Sequence, residues 1–307
     1  MMNVGVVGCG RWGRKHLQVL QSLKGDGLVE QIIAVDSNPE VLAQIKQADF
    51  KYSSLPENSC DLVILATPST DHFNHSLRLL EQENHLLVEK PLACSEEEAA
   101  QVLACAQKHG RILSVGLLLR FHPAIIHAHA QLKRGNLGQL LEFNFIRRKT
   151  DNARVGADVM EEIGVHGIDL ACHLLGECDP RTIISSGDSI GARMTLEFAH
   201  GIEAHIDVSW ETEEEINRIE IIGDKATVII DSNNHSSYKM IDSSGESLII
   251  IEQPIAPLEA EVRHLLSAVA AHEKGEIWRI NPDHGAALRC VKITQKAIYR
   301  PALTWPD

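Results

Sequence analysis

Within residues 161–177, EEIGVHGIDLACHLLGE, the side chains Glu162, His166, Asp169 and His173 follow one another at spacings of four, three and four. At roughly 100° per helical residue they fall within an arc of about 60°, one stripe on one helix face. Ile163, Ile168, Leu170, Ala171, Cys172, Leu174 and Leu175 cover the other faces, and Gly176 stands at the C-cap. A helix apolar around most of its circumference is a buried one. Three chemistries fit the stripe. His166, Asp169 and His173 could ligate zinc or iron, but a further ligand would have to come from elsewhere, and nothing specific supplies one. His166 could exchange a proton with a substrate hydroxyl, its ring oriented by Glu162 at i−4 or Asp169 at i+3. Or the four satisfy one another as core polars, which suits His173, nearly two turns from His166.

A second chemical residue lies in HLLVEKPLA. Lys90 ends an apolar strand and is followed by Pro91, which sets it apart from an ordinary solvated surface lysine. Desolvated, such a lysine can share a proton or polarise an oxygen.

These residues need a frame, and the first third of the chain supplies one. NVGVVGCGRWGRKHLQVLQSL reads as strand, glycine turn and helix, with Gly8, Gly10 and Gly13 matching G-x-G-x-x-G. The first glycine makes the turn, the second admits a pyrophosphate, and the third packs helix on strand. The helix N-terminus then offers its N–H groups to phosphates. A second strand, EQIIAVDSN, ends in Asp36, 23 residues after Gly13. An acid there accepts from ribose hydroxyls and repels a 2′-phosphate, so NAD is favoured over NADP. Asp36 could equally cap the helix PEVLAQIKQ. Strands CDLVILATPS, HLLVEKPLA and RILSVGLLL alternate with helices, which predicts a doubly wound parallel sheet buried on both faces. Ligands bind beyond the carboxyl ends of such strands, a rim carrying Gly8–Gly13 with Arg11 and Trp12, then Asp36, Thr67-Pro68 with the nearby His72, and Glu89-Lys90.

After residue 119 the pattern changes. QLLEFNFIRR, RTIISSG, ARMTLEFAH, GIEAHIDVSWE, RIEIIGDKATVIID, SSYKMIDSSG and ESLIIIEQ are strand-like runs split by turns, an antiparallel meander interrupted by the 161–176 helix. Two helices close the chain. The reading is α/β: a Rossmann domain over 1–119 and an α+β domain over 120–307 with a large, mostly antiparallel open sheet. Trp210 and Phe198 read as packing residues.

Composition limits the function. The 29 Lys and Arg against 42 Asp and Glu give a net charge of −13, which excludes nucleic-acid and anionic-membrane surfaces as partners. The basic group Arg147, Arg148, Lys149 and Arg154 reads as a solvated strand end. No apolar run approaches the roughly 18 residues of a membrane helix. MMNVGVVGCG lacks a signal-peptide n-region, and seven cysteines without a C-x-x-C pair suit a reducing cytoplasm.

The motifs GVVGCGRWGRKH, ATPSTDH, EKP, GLLLRFHPA, GVHGIDLACHLLG, IDVSW and IEIIGDKATVIID, in that order, resemble the glucose–fructose oxidoreductase / inositol dehydrogenase / rhizopine-catabolism (Gfo/Idh/MocA) family. EKP and the GVHGIDL helix are its specific parts. The resemblance implies NAD(P)-dependent hydride transfer at a carbon–oxygen centre of a sugar, cyclitol or nucleotide-sugar derivative. It makes Lys90 the active-site lysine and His166 the active-site histidine, with Glu162 where the family often has the shorter Asp. It implies that Arg120 approaches the substrate, with Asp169 nearby, and that the second sheet joins protomers into a dimer or tetramer. No metal is assigned, since hydride transfer to a nicotinamide requires none. The family's usual Asn before the proline is His122 here. The competing readings are a non-catalytic NAD(P)-binding sensor of the same fold, and a reductase of a non-sugar substrate.

Overall fold

The computed structural model describes residues 1–150 and 158–297, which form two compact units. One comprises residues 1–118 with 258–291; the other comprises 119–257 with the described residues from 292 onward.

The first unit is a doubly wound sheet. Strands β1 (Met2–Val7), β2 (Val29–Val35), β3 (Phe50–Tyr52), β4 (Leu62–Leu65), β5 (His85–Val88) and β6 (Leu113–Val115) run in parallel in the order β3-β2-β1-β4-β5-β6. The order reverses at β1/β4, where such sheets bind nucleotides. LVIL in β4 and HLLV in β5 are buried at every position, as a sheet covered on both faces demands. The covering helices are α1 (Arg11–Gly25), α2 (Pro39–Gln44), α3 (Ser69–Glu81) and α4 (Glu96–Lys108). Their ends follow local chemistry: the Ser95 hydroxyl accepts from Glu98 N–H to start α4, whose first turn is acidic.

The second unit carries an eight-stranded sheet. β7 (Leu140–Arg148), β8 (Thr182–Gly187), β9 (Gly191–Glu197), β10 (Glu203–Ser209), β11 (Ile216–Gly223), β12 (Ala226–Asp231), β13 (Ser237–Asp242) and β14 (Gly245–Ile250) lie in the order β14-β13-β12-β11-β7-β10-β9-β8. It is not a simple meander. β7 is laid down first and then flanked from both sides, so its pairing with β10 is parallel while every other pairing is antiparallel. Period-2 alternation buries Phe143, Phe145, Ala204, Ile206, Val208, Ile219 and Ile221 on the inner face. Helices α5 (Pro123–Lys133) and α6 (Val165–Leu174) belong to this unit. α6 lies so close to β7 that a Cβ on Gly167 would stand 2.7 Å from the Phe145 ring. Any larger residue would push the helix off the sheet.

Two expectations are corrected. Uniform spacing predicts one α-helix over 161–176, but Met160–Gly164 is a π turn, with Val165 N–H donating to Met160 O. The wider turn takes Glu162 out of the regular 100° step relative to His166. The sequence pattern also predicts a second domain running unbroken over 120–307. Instead helix α7 (Pro257–Glu273) returns to the first unit, where Val262, Leu265, Leu266 and Val269 pack with Val4, Leu17, Leu20 and Ile32. An apolar stripe says that a helix is buried but not against which sheet. The final helix, α8 (His284–Ala297), spans the division.

Candidate active site

In the first unit the glycine turn is a close fit on two sides and open on the third. A Cβ on Gly8 would meet Ala66 O at 2.6 Å, and one on Gly13 would meet Gly8 O at 1.9 Å. A Cβ on Gly10 would have nothing within 4 Å, and no side chain caps the helix that begins at Arg11. That is a cradle for a dinucleotide phosphate, with helix N–H groups directed at it. The Asp36 carboxylate accepts from Cys9 N–H and Asn38 N–H, each at 2.8 Å, which ties the end of β2 to the glycine turn. Asp36 is therefore not the cap of α2; Asn38 is, accepting from Glu40 N–H at 2.9 Å. Arg11 is exposed, and Trp12 carries the Lys15 ammonium 4.2 Å above its ring.

Lys90 is only 8% exposed and its neighbours are anchored from two helices. Glu89 Oε1 stands 2.7 Å from Nε2 of the fully buried His16 on α1. On the other side, His72 of α3 sets Nδ1 2.7 Å from Pro91 O and Nε2 2.9 Å from Thr67 O. Both ring nitrogens face backbone carbonyl oxygens, one on each loop. His72 and Glu89, expected among the cofactor contacts, thus hold the loops that bear Thr67 and Lys90. His16 carries no motif of its own. Its only signal is a place three residues after Gly13, on the buried side of α1.

In the second unit the stripe divides. His166 is buried at the start of α6, and Glu162 is half-buried in the π turn. Asp169 binds Arg120 at 2.6–3.0 Å through Nε and Nη2, and both side chains are buried. Arg120 Nη1 donates to Glu177 at 2.7 Å, and Glu177 also accepts from His173 Nδ1 at 2.8 Å. Burial works against the Arg120 charge, but the two carboxylates more than offset it. Burial likewise raises the Glu177 carboxyl, yet His173 and Arg120 outweigh it and hold Glu177 well below the carboxylate range. Glu177 follows Gly176 in a Schellman close, where Gly176 N–H donates to His173 O and Glu177 N–H to Cys172 O. That helix end aims Glu177 back at Arg120, and no spacing rule reveals it. Arg120 and Asp169, expected at the substrate, pair with each other.

His122 caps α5: its Nδ1 accepts from Ala124 N–H at 3.2 Å. Burial, then His235, pushes its pKa down to about 4. The basic group at the end of β7 is not a uniform solvated end. Arg148 pairs with Asp207 at 2.7 Å and Lys149 with Glu215 at 2.6 Å, whereas Arg147 is turned inward. Arg154 lies outside the described residues. Among the described residues, the one group with metal-ligand spacing is His85, His272 and Glu273 in the first unit. There His85 Nδ1 accepts from Ile112 N–H, so its proton sits on Nε2 and points at Glu273, a tautomer opposed to metal binding.

Sequence profiles match on both sides of the division. Residues 2–117 match the oxidoreductase family with an NAD-binding Rossmann fold, and residues 124–229 match the GFO/IDH/MocA C-terminal domain. The chain belongs to the GFO/IDH/MocA oxidoreductases. Among its relatives in this family is UDP-N-acetylglucosamine 3-dehydrogenase of Acidithiobacillus ferrooxidans, 26% identical over 295 residues, 88% of this chain and 90% of the relative. Another is scyllo-inositol 2-dehydrogenase (NAD(+)) of Bacillus subtilis, 26% identical over 272 residues, 80% and 78% of the two chains. The fold is shared with levoglucosan dehydrogenase solved with NADH and L-sorbose, at TM-score 0.85 and 17% identity over 96% of this chain and 95% of that one. No helix among the described residues is long and apolar enough to cross a membrane.

Proposed function

We propose that this GFO/IDH/MocA oxidoreductase is an NAD-dependent dehydrogenase or reductase acting on a hydroxyl or keto carbon of a sugar, cyclitol or nucleotide sugar. The observation that carries this reading is Lys90, withdrawn from bulk water at a strand end on the nucleotide rim, with His16 and His72 fixing the residues on either side. A surface lysine does not need such anchoring; a lysine that must meet a reacting oxygen does. Bound NAD supplies the hydride acceptor at the nicotinamide. The chain's own residues handle the proton: His166 takes it from the substrate hydroxyl, Glu162 stabilises the imidazolium, and Lys90 polarises the oxygen. Arg120 and Asp169 act one layer behind by fixing α6. Asp36 favours NAD by accepting from ribose hydroxyls and repelling a 2′-phosphate. The open face of the second sheet is where protomers associate, and the seven free thiols suit a cytoplasmic setting.

The test is a panel of sugars, cyclitols and nucleotide sugars with NAD and NADP, read as reduced nicotinamide. Turnover on at least one sugar-like alcohol, with NADH bound more tightly than NADPH, is expected. Inactivity across the panel, or equal affinity for the two cofactors, contradicts the substrate and cofactor assignments respectively.

A further inference from the structure

One end of the second sheet's inner face carries polar groups without partners among the described residues. Alternation along β7 puts Arg147 on the face of Phe143 and Phe145, the face that α6 covers. It stands opposite Val208 of β10 and Asn217 of β11. Its Nε is shut off from solvent and has no hydrogen-bond partner. Trp210, two residues beyond Val208, is buried with its indole Nε1 in the same condition. The acid with influence here, Glu215, is already engaged by Lys149 at 2.6 Å and Asn217 at 2.7 Å. Burial pushes the Arg147 pKa down, and Glu215 offsets this only in part. Arg147 is half-buried, and a cation drawn partly out of water without its own counter-ion is an expense that folding alone does not explain.

The position gives the reason. Val159 N–H donates to Ser189 O, Trp210 N–H donates to Ile190 O, and Gly167 rests on Phe145. Residues 159–167 therefore run along the inner face from the Trp210 end to Phe145. Arg147, on the same face and opposite Val208, lies along the sheet between those limits. Its guanidinium and the indole N–H are both donors, suited to acceptor oxygens. We infer that Arg147 and Trp210 form an anion subsite for a carboxylate or phosphate group on the substrate that His166 serves. The inference rests on the proposed reaction site and narrows its substrates to acidic sugars: uronates, sugar phosphates or nucleotide sugars.

The test uses the full-length protein with NADH and compares uronates and sugar phosphates of the gluco, galacto and manno series with their neutral parents. Binding is read as a rise in melting temperature, and turnover as KM with the matching oxidised or reduced cofactor. At least one anionic member should bind where its neutral parent does not, and have a KM at least about tenfold lower. Arg147→Gln should weaken the anionic member about 30-fold more than the neutral one, and Arg147→Lys should recover part of that loss. Arg193→Gln, the same charge change on the outer face, should leave the preference intact. Comparing the uronate and phosphate arms shows which anion is read. Equal binding of neutral and anionic sugars, no anion binding, or equal weakening of both classes by Arg147→Gln overturns the subsite. Anion binding without turnover would instead overturn the proposed reaction while the subsite stands.

Discussion

Arg120 and Arg147 sit in one unit and leave water on opposite terms. Arg120 has a buried carboxylate along one edge and a second at its tip, so every nitrogen that is desolvated has an acceptor. Arg147 has a desolvated Nε with no acceptor, and the acid that acts on it, Glu215, is engaged by Lys149. A partnered buried charge is part of the frame; a half-buried one whose Nε lacks an acceptor is kept for something the frame does not contain. Family likeness directs attention to Arg120 as the substrate residue; in the structure it is paired with Asp169 and Glu177, while the Nε of Arg147 has no acceptor.

That contrast can be broken by experiment. Arg120→Leu should destabilise the second unit by about 3–5 kcal/mol, because it strands Asp169 as a buried charge; chemical denaturation measures it. A loss below about 1 kcal/mol would mean the pair is not structural. The Arg120 side should also be acid-labile. Burial, then His173, pushes the His129 pKa down to about 4, and burial does the same for His122. The unfolded chain protonates these rings near pH 6.5, the folded chain only near 4. Their stability is therefore fully present above about pH 6.5 and declines as pH falls toward 4. His122 alone should account for on the order of 3 kcal/mol. Glu177, held low, adds loss in the same direction as pH falls through its folded pKa. His122→Asn, which keeps the cap without the titration, should flatten part of the slope. The smallest effect belongs to Arg147: Arg147→Met should melt within about 0.5 kcal/mol of the parent or above it. A clear drop would show that Arg147 holds the fold after all.

Much of this was legible in the residues. The Rossmann half follows from unbroken apolar strands and a glycine turn, because a parallel sheet buried on both faces leaves that signature. The stripe on α6 was visible as spacing. Spacing, however, assumes a uniform helix, and the π turn at Met160–Gly164 breaks that assumption just before His166. The partners of the stripe come from distant chain positions: Arg120 lies 49 residues from Asp169, and Glu177 reaches it through a helix end. His16 and Glu89 are 73 residues apart and meet only because α1 lies against the sheet. The inward turn of Arg147 is implied by the alternation of FNFIRR, but a run of basic residues hides it until the sheet's inner face is known.

In the proposed reaction Lys90 and His166 handle the proton during hydride transfer. Lys90→Ala and His166→Asn, assayed on the substrate found in the panel, with NADH affinity measured in parallel by fluorescence titration, test it most directly. Each change should lower kcat by about 100-fold or more while the dissociation constant for NADH stays within about threefold, a difference under 1 kcal/mol. Turnover that survives both substitutions would contradict the account.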